Sequence, residues 1–304
     1  MLKFKSKERD LLVENGKIID ENSREFIRGA LGLKNKKVEA TRHTILSGPP
    51  GVGKTYGTID ECNKAKINKL LIAPGTTDIE LVVKLATKIY SLKKDEELVV
   101  ILDDADDVVF GTYETLNKWK LAMADIDYDQ GIIPHFNHPV SMTNTIASLQ
   151  KQANADPSRQ VVVDAIKSFM SPDSVGISIP MDKVRFIVLC NLDLEDPKSF
   201  RSAKLRSAVG PVLDRMKYKR INVGWEKQWG WTAYVLGETQ PFDEHQLSNA
   251  QKVEMMDWMY EKWGEDKDRK LRSTSYRTVR RLAEAMINDP DNFKDLWKEE
   301  LKGN

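Results

Sequence analysis

From residue 43 onward, short apolar runs alternate with segments whose apolar residues recur every three to four positions. "HTILS" at 43–47 reads as a strand that runs straight into a glycine-rich turn. "KLLIA" at 69–73, "LVVIL" at 98–102, "VRFIVLC" at 184–190 and "KRINV" at 219–223 read as four more strands. "LVVIL" is apolar at every position, the pattern of a parallel strand covered on both faces. Helical spacing fills the gaps. "GTTDIELVVKLATKIYSL" sets Ile79, Val82, Leu85, Ala86 and Ile89 on one stripe, with Thr77 or Asp78 as its cap. "YGTIDECNKAKI" and "YETLNKWKLAMA" also read as helices, the first weakened by Gly57. Strands alternating with helices predict an α/β fold with a parallel sheet between helices.

Three stretches depart from this rhythm. Residues 1–42 are polar apart from one amphipathic patch, "REFIRGALGL", and read as an N-terminal arm. Residues 125–182 form an insertion between two core strands, a length that points to function or mobility. Within it, "DIDYDQGIIPHFNHPVSM" has the punctuation of a hairpin and "QVVVDAIKSFM" reads as a helix. Ile132, Ile133 and Phe136 are apolar for an idle loop; they mark either a substrate contact or a local packing patch. From about 225 the strand pattern stops, and "EKQWGWTAYVLG", "NAQKVEMMDWMYEKWG", "SYRTVRRLAEAMI" and "DNFKDLWKEEL" read as four helices. The chain thus divides into an arm (1–42), an α/β domain (43–224) and a helical domain (225–304). Trp225, Trp229, Trp231, Trp258, Trp263 and Trp297 sit at helical spacings in the last part and read as packing residues.

Composition narrows the classes. The 304 residues carry 47 basic and 46 acidic side chains, so global charge gives no argument for nucleic acid or an acidic membrane. Two cysteines, Cys62 and Cys190, are too few for a disulfide framework or a zinc cluster and suit a reducing cytoplasm. The charged start "MLKFKSKERD" is not a signal peptide, and "LVVIL" is too short to span a bilayer. His135 and His138 lack further ligands and read as loop residues.

The chemistry begins at "GPPGVGKT", which places Gly48, Pro49, Pro50, Gly51, Val52, Gly53, Lys54 and Thr55 between a strand and a helix. In that context glycines let backbone N–H groups face phosphate oxygens at the positive end of a helix. Lys54 then reaches the β and γ phosphates, and the Thr55 hydroxyl binds Mg²⁺. Asp103 and Asp104 follow the apolar strand "LVVIL", at the carboxyl end where open α/β sheets hold ligands. Asp103 suits the Mg²⁺ shell, and Asp104 is the candidate base for water. Asn191 ends the next core strand; its amide can contact the γ phosphate or orient the attacking water. Two basic segments, "KLRSAVGPVLDRMKYKR" and "KDRKLRSTSYRTVRR", offer arginines for charge developing on phosphate, with DNA contact as a further use.

Taken together, residues 43–290 resemble the AAA+ ATPases. "GPPGVGKT" is similar to that superfamily's phosphate loop, "VVILDD" to its magnesium-acid motif and Asn191 in "FIVLCN" to its first sensor. "LRSAVGPVLDRM" looks like the segment that supplies an arginine finger to the neighbouring subunit, implying Arg215 with Arg206 as the alternative. "STSYRTVRRL" looks like the lid helix with the second sensor, implying Arg277. The resemblance implies a five-stranded parallel sheet between helices, an α-helical lid, ATP and Mg²⁺ as ligands, and a homo-oligomeric ring, often a hexamer. The superfamily's usual Asp-Glu pair is Asp103-Asp104 here, one methylene shorter, which leaves slow hydrolysis or an ATP-binding switch open. The run from "DDADDVVFGTYETLNKWKLAMADID" through the insertion to "FIVLCN" is also similar to AAA+ proteins carried by tailed phages, implying the host cytoplasm. The expected function is a ring ATPase acting on DNA or a DNA-bound protein. A protein remodeller and a non-motor switch or scaffold are the alternatives. The zone after the second strand, "APGTTDIE", lacks the aromatic-glycine pore motif of polypeptide threaders.

Overall fold

The computed structural model of the chain describes residues 2–33, 42–76, 78–123, 130–134, 150–151, 153–157, 160–169, 176–180, 182–238, 247–265 and 276–295. It divides into two compact units. One comprises Ile27–Ser47 and Thr58–Arg220; the other comprises Met1–Phe26, Gly48–Gly57 and Ile221–Asn304.

The α/β unit is built on five parallel strands: β1 (Thr44–Ser47), β2 (Asn68–Ile72), β3 (Leu98–Leu102), β6 (Val184–Cys190) and β7 (Lys217–Arg220). Their order across the sheet is β2-β3-β6-β1-β7. Burial follows that order. β3 and β6 are buried at every position, because helices cover both faces of central parallel strands. The edge strand β7 reads Lys-Tyr-Lys-Arg, a charged sequence that discourages pairing with another chain. One charge enters the centre: Arg185 of β6 is buried and pairs with Glu97 at 3.0 Å.

The helices of this unit supply the rest of its core. α3 (Asp78–Tyr90) buries Leu81, Val82, Leu85, Ala86 and Ile89, the stripe its spacing predicts apart from Ile79, whose side chain lies outside the described residues. α4 (Ala105–Val108) is a single turn after β3. In α5 (Tyr113–Ala122) the Thr112 hydroxyl caps the first turn by accepting from Thr115 N at 3.1 Å. α7 (Ala203–Leu213) begins with a Ser202 cap on Leu205 N at 3.1 Å. α3 packs against α6 (Gln160–Phe169), the helix expected in the insertion, and α5 against α7.

Within the insertion, five residues of the stretch expected as a hairpin are described, and they form a strand. β4 (Gln130–Pro134) pairs antiparallel with β5 (Gly176–Pro180), from Gln130↔Pro180 to Pro134↔Gly176. The partner strand is "GISIP", far along the chain, and the rest of "DIDYDQGIIPHFNHPVSM" lies outside the described residues. The side chains of Ile132 and Ile133, and all of Phe136, lie outside the described residues.

The described elements of the second unit are helices: α1 (Lys7–Ala30) through Phe26, the first turn of α2 (Lys54–Lys64), α8 (Trp225–Glu238), α9 (Asn249–Glu265) and α10 (Tyr276–Asn288). The N-terminal segment differs from the arm expected for 1–42. Leu2 and Phe4, which precede the helix, and Val13 within it are buried with Trp229, Leu236, Met255, Met259 and Leu282 in one core. A glycine pair sets the approach of α1 to α8. A Cβ on Gly16 would stand 2.4 Å from Gly230 C, and one on Gly230 would stand 2.1 Å from Leu12 O. No side chain other than hydrogen fits there, so the backbones cross in direct contact. Trp229, Trp231, Trp258 and Trp263 are buried and Trp225 is half-buried, whereas Trp297 lies outside the described residues. The larger part of "DNFKDLWKEEL" does too.

Among the described residues, no helix is long and apolar enough to cross a membrane.

Candidate functional site

The glycine-rich loop belongs to the helical unit. Gly51 and Gly53 adopt φ of 81° and 76°, a left-handed backbone that side chains resist. These two turns bring the chain into α2 at Lys54. The first α-type bond runs from Gly57 N to Gly53 O at 2.7 Å. The amides before Gly57 belong to the helix's opening turn, whose N–H groups intrahelical bonding leaves to other acceptors. That turn carries the positive end of the helix dipole. Lys54 is buried, and its Nζ donates to Gly48 O at 2.7 Å and Pro49 O at 2.9 Å. The ammonium therefore lies over its own loop, where an anion would meet it.

Two residues of α8 hold the loop from outside. Gln228 Nε2 donates to Pro50 O at 2.9 Å. The Trp231 indole packs on Gly53 and donates through Nε1 to Asp20 Oδ1 at 3.3 Å. Neither contact is legible in the sequence, where both residues share the helical spacing of core positions.

The α/β unit carries the acidic half of the candidate chemistry. Asp103 leaves β3, with its N–H on Ile72 O at 3.0 Å, so strand pairing extends to this residue. Asp104 follows at φ 45° and ψ 49°, in the left-handed region, and its N–H donates to Asp103 Oδ1 at 3.1 Å. Asparagine and aspartate are the non-glycine residues most enriched in this conformation. The position thus favours aspartate over glutamate, a physical reason for the Asp-Asp pair.

At the end of β6, Asn191 Nδ2 donates to Asp104 Oδ1 at 3.3 Å and to Asp106 Oδ2 at 3.0 Å. The backbone N–H groups of Asn191 and Leu192 also donate to Asp106 Oδ1, each at 2.9 Å. The structure thus joins Asp104 to Asn191 directly and adds a second carboxylate on Asn191 that the sequence reading did not single out, Asp106. Its only sequence signal is its place in "DDADD", where four similar acids hide which one turns toward β6.

The arginines are less closely placed. Arg215 follows α7, is exposed, and has no ion pair among the described residues. Arg206 is exposed on α7. Arg277 falls in α10, and its side chain lies outside the described residues.

Among the described residues no group of three or more His, Cys, Asp or Glu could hold an ion. Thr55 in the loop and Asp103 after β3 each carry an oxygen of the hard type that Mg²⁺ takes. No protein-family model matches the chain, and no curated protein matches it.

Proposed function

We propose that this protein is an AAA+-type ATP hydrolase that assembles into a ring and acts on DNA or a DNA-bound protein. One observation carries the reading. β6 lies between β1 and β3, so three neighbouring parallel strands lead into the three candidate elements. β1 hands the chain to the glycine-rich loop, β6 to Asn191 and β3 to Asp103-Asp104. The carboxyl ends of parallel strands are where α/β sheets bind ligands.

In this reading the loop amides and Lys54 bind the β and γ phosphates, and charge on the ammonium offsets charge on the transferring group. Thr55 and Asp103 would hold Mg²⁺, which supplies Lewis-acid stabilisation of the phosphate oxygens when bound. Asp104 accepts a proton from the attacking water, and Asn191 orients that water. Arg215 from a second copy stabilises the charge in flight, and Arg277 links nucleotide to the position of the helical part. The near-neutral net charge confines any DNA contact to local basic segments.

Phosphate release from ATP with Mg²⁺ tests the reading, with single-stranded and double-stranded DNA added in parallel and light scattering to follow assembly. The expected result is turnover that Lys54→Ala abolishes, that DNA raises, and that a mixture of Lys54→Ala and Arg215→Ala proteins partly restores. Turnover equal to that of Lys54→Ala would end the ATPase reading. Stimulation by a protein alone would replace DNA with a polypeptide substrate, and full turnover by a monomer would remove the ring.

A further inference from the structure

We infer that Gln228 is a positioning residue for phosphate binding: it holds the Pro50 carbonyl from α8 and so aims the Gly51 N–H, the first amide hydrogen after the two prolines of the loop, at a phosphate oxygen of the nucleotide. The inference rests on the nucleotide-binding part of the reading above.

Two successive peptides of the loop have no hydrogen to offer, because Pro49 and Pro50 supply their nitrogens. Their carbonyls, Gly48 O and Pro49 O, take the Lys54 ammonium at 2.7 and 2.9 Å. Those contacts tie the loop down without aiming a donor. The next peptide, Pro50–Gly51, is the first with a hydrogen. A trans peptide is planar, and its C=O and N–H point to opposite sides. A donor on the carbonyl therefore fixes the direction of the N–H, away from that donor. Gln228 Nε2 is such a donor, 2.9 Å from Pro50 O. A carbonyl oxygen only accepts, so the amide nitrogen of Gln228, and not its oxygen, must face it. The Gly51 N–H thus points away from α8, and an anion meets it on the far side of the loop.

Gln228 is placed to hold that direction. It is buried, in one compact unit with the loop. Packing alone asks only for an apolar side chain of this length. A buried amide costs free energy unless it is bonded, and the bond here goes to the loop. Three residues on, and so on the same face of α8, Trp231 packs on Gly53. Its indole N–H is on Asp20 Oδ1 at 3.3 Å, and Asp20 Oδ2 takes Arg24 Nε at 2.7 Å. α8 therefore grips the loop at positions 50 and 53, with α1 behind the second grip. Gly51 and Val52, whose N–H groups the phosphates need, lie between the two grips.

The test labels proline with ¹³C at its carbonyl and glycine with ¹⁵N, so that only Pro-Gly peptides report. The chain has two, Pro50–Gly51 and Pro74–Gly75, and Pro74→Ala removes the second peak. On addition of ATP with Mg²⁺ to the wild type, the Gly51 amide proton should move downfield, as expected for a short hydrogen bond to a charged oxygen. Gln228→Met keeps the length of the side chain and removes its donor. We expect it to weaken equilibrium binding of ATP by about 10-fold, within the range for one hydrogen bond to a charged group, and to lose most of the Gly51 shift. Gln228→Glu, isosteric and without the donor when ionised, should show the same losses. A purely structural Gln228 would lower melting but leave affinity and shift unchanged in the folded variants, and that result overturns the proposal. Should both variants fail to fold, the wild type still decides. A Gly51 proton that stays in place while ATP binds overturns the proposal and leaves the nucleotide-binding reading standing. A wild type that binds no ATP overturns that reading and the proposal with it.

Discussion

The indole of Trp231 closes over Gly53: a Cβ at residue 53 would stand 2.5 Å from Cζ2 and 2.9 Å from Cη2. Gly53 is also at φ 76°, so alanine there meets two penalties. The left-handed backbone alone costs a side chain about 1–2 kcal/mol. Gly53→Ala is expected to lower stability by more than that, and to lose part of the excess when paired with Trp231→Ala. Trp231→Ala alone should cost about 3–5 kcal/mol, as for other buried aromatics. Urea denaturation of the four proteins measures the coupling; strictly additive losses would show that ring and Cβ do not compete.

Lys54→Ala should weaken binding of ATP with Mg²⁺ by about 10- to 100-fold, the loss of one charge-assisted contact of about 1.5–3 kcal/mol. Its Nζ donates to two loop carbonyls, Gly48 O and Pro49 O, and removing it from this buried position should also lower the melting temperature. Equilibrium nucleotide binding checks the first expectation and calorimetry the second. Wild-type affinity in this variant would remove the loop from phosphate binding.

Asp104 separates backbone from chemistry. Asparagine tolerates the left-handed conformation at φ 45° and cannot take a proton from water. Asp104→Asn should therefore bind ATP normally and slow single-turnover hydrolysis by about 100-fold or more. Asp104→Glu has the longer reach but fits the backbone less well. It should melt earlier, by about 1 kcal/mol of stability, and hydrolyse no faster than wild type. A faster Asp104→Glu enzyme would show that reach, not backbone fit, limits this position.

His43 makes stability depend on pH. Its ring is buried, and Nδ1 accepts from Phe186 N at 3.1 Å, a bond that requires the neutral form. Burial, then repulsion from Arg42 and Arg185, lowers its pKa from 6.5 to about 3. The unfolded chain takes up a proton below 6.5 that the folded chain refuses, so the contribution is complete above 6.5 and falls as pH drops toward 3. At pH 5 the loss is about 2 kcal/mol. Urea unfolding between pH 7 and 5 should show it, and His43→Phe should flatten that part of the slope. Equal slopes in both proteins would place the acid sensitivity elsewhere.

The sheet was legible in the sequence because its signal is local. "LVVIL" and "VRFIVLC" are apolar on both faces, and such strands need helices on both sides wherever they lie. The loop was legible for a similar reason: backbone conformation at Gly51 and Gly53 is a property of the residues themselves, and the spacing to Lys54 is covalent.

Long-range partners were not legible. Periodicity shows that a strand or helix has an apolar face, but not what covers it. "GISIP" pairs with β4 from beyond α6, and the polar-looking N-terminal helix buries Val13 against α8, α9 and α10. Trp231 has the spacing of any core tryptophan, yet its ring contacts the loop. Among four acids of one composition, only the register of β3 beside β6 decides that Asp106, and not Asp107, meets the amides of Asn191 and Leu192. Residue type and spacing determine which groups can do chemistry. Pairing between distant strands determines which hydrogens face which oxygens, because a hydrogen bond depends on separations of a few ångströms that sequence neighbours do not set.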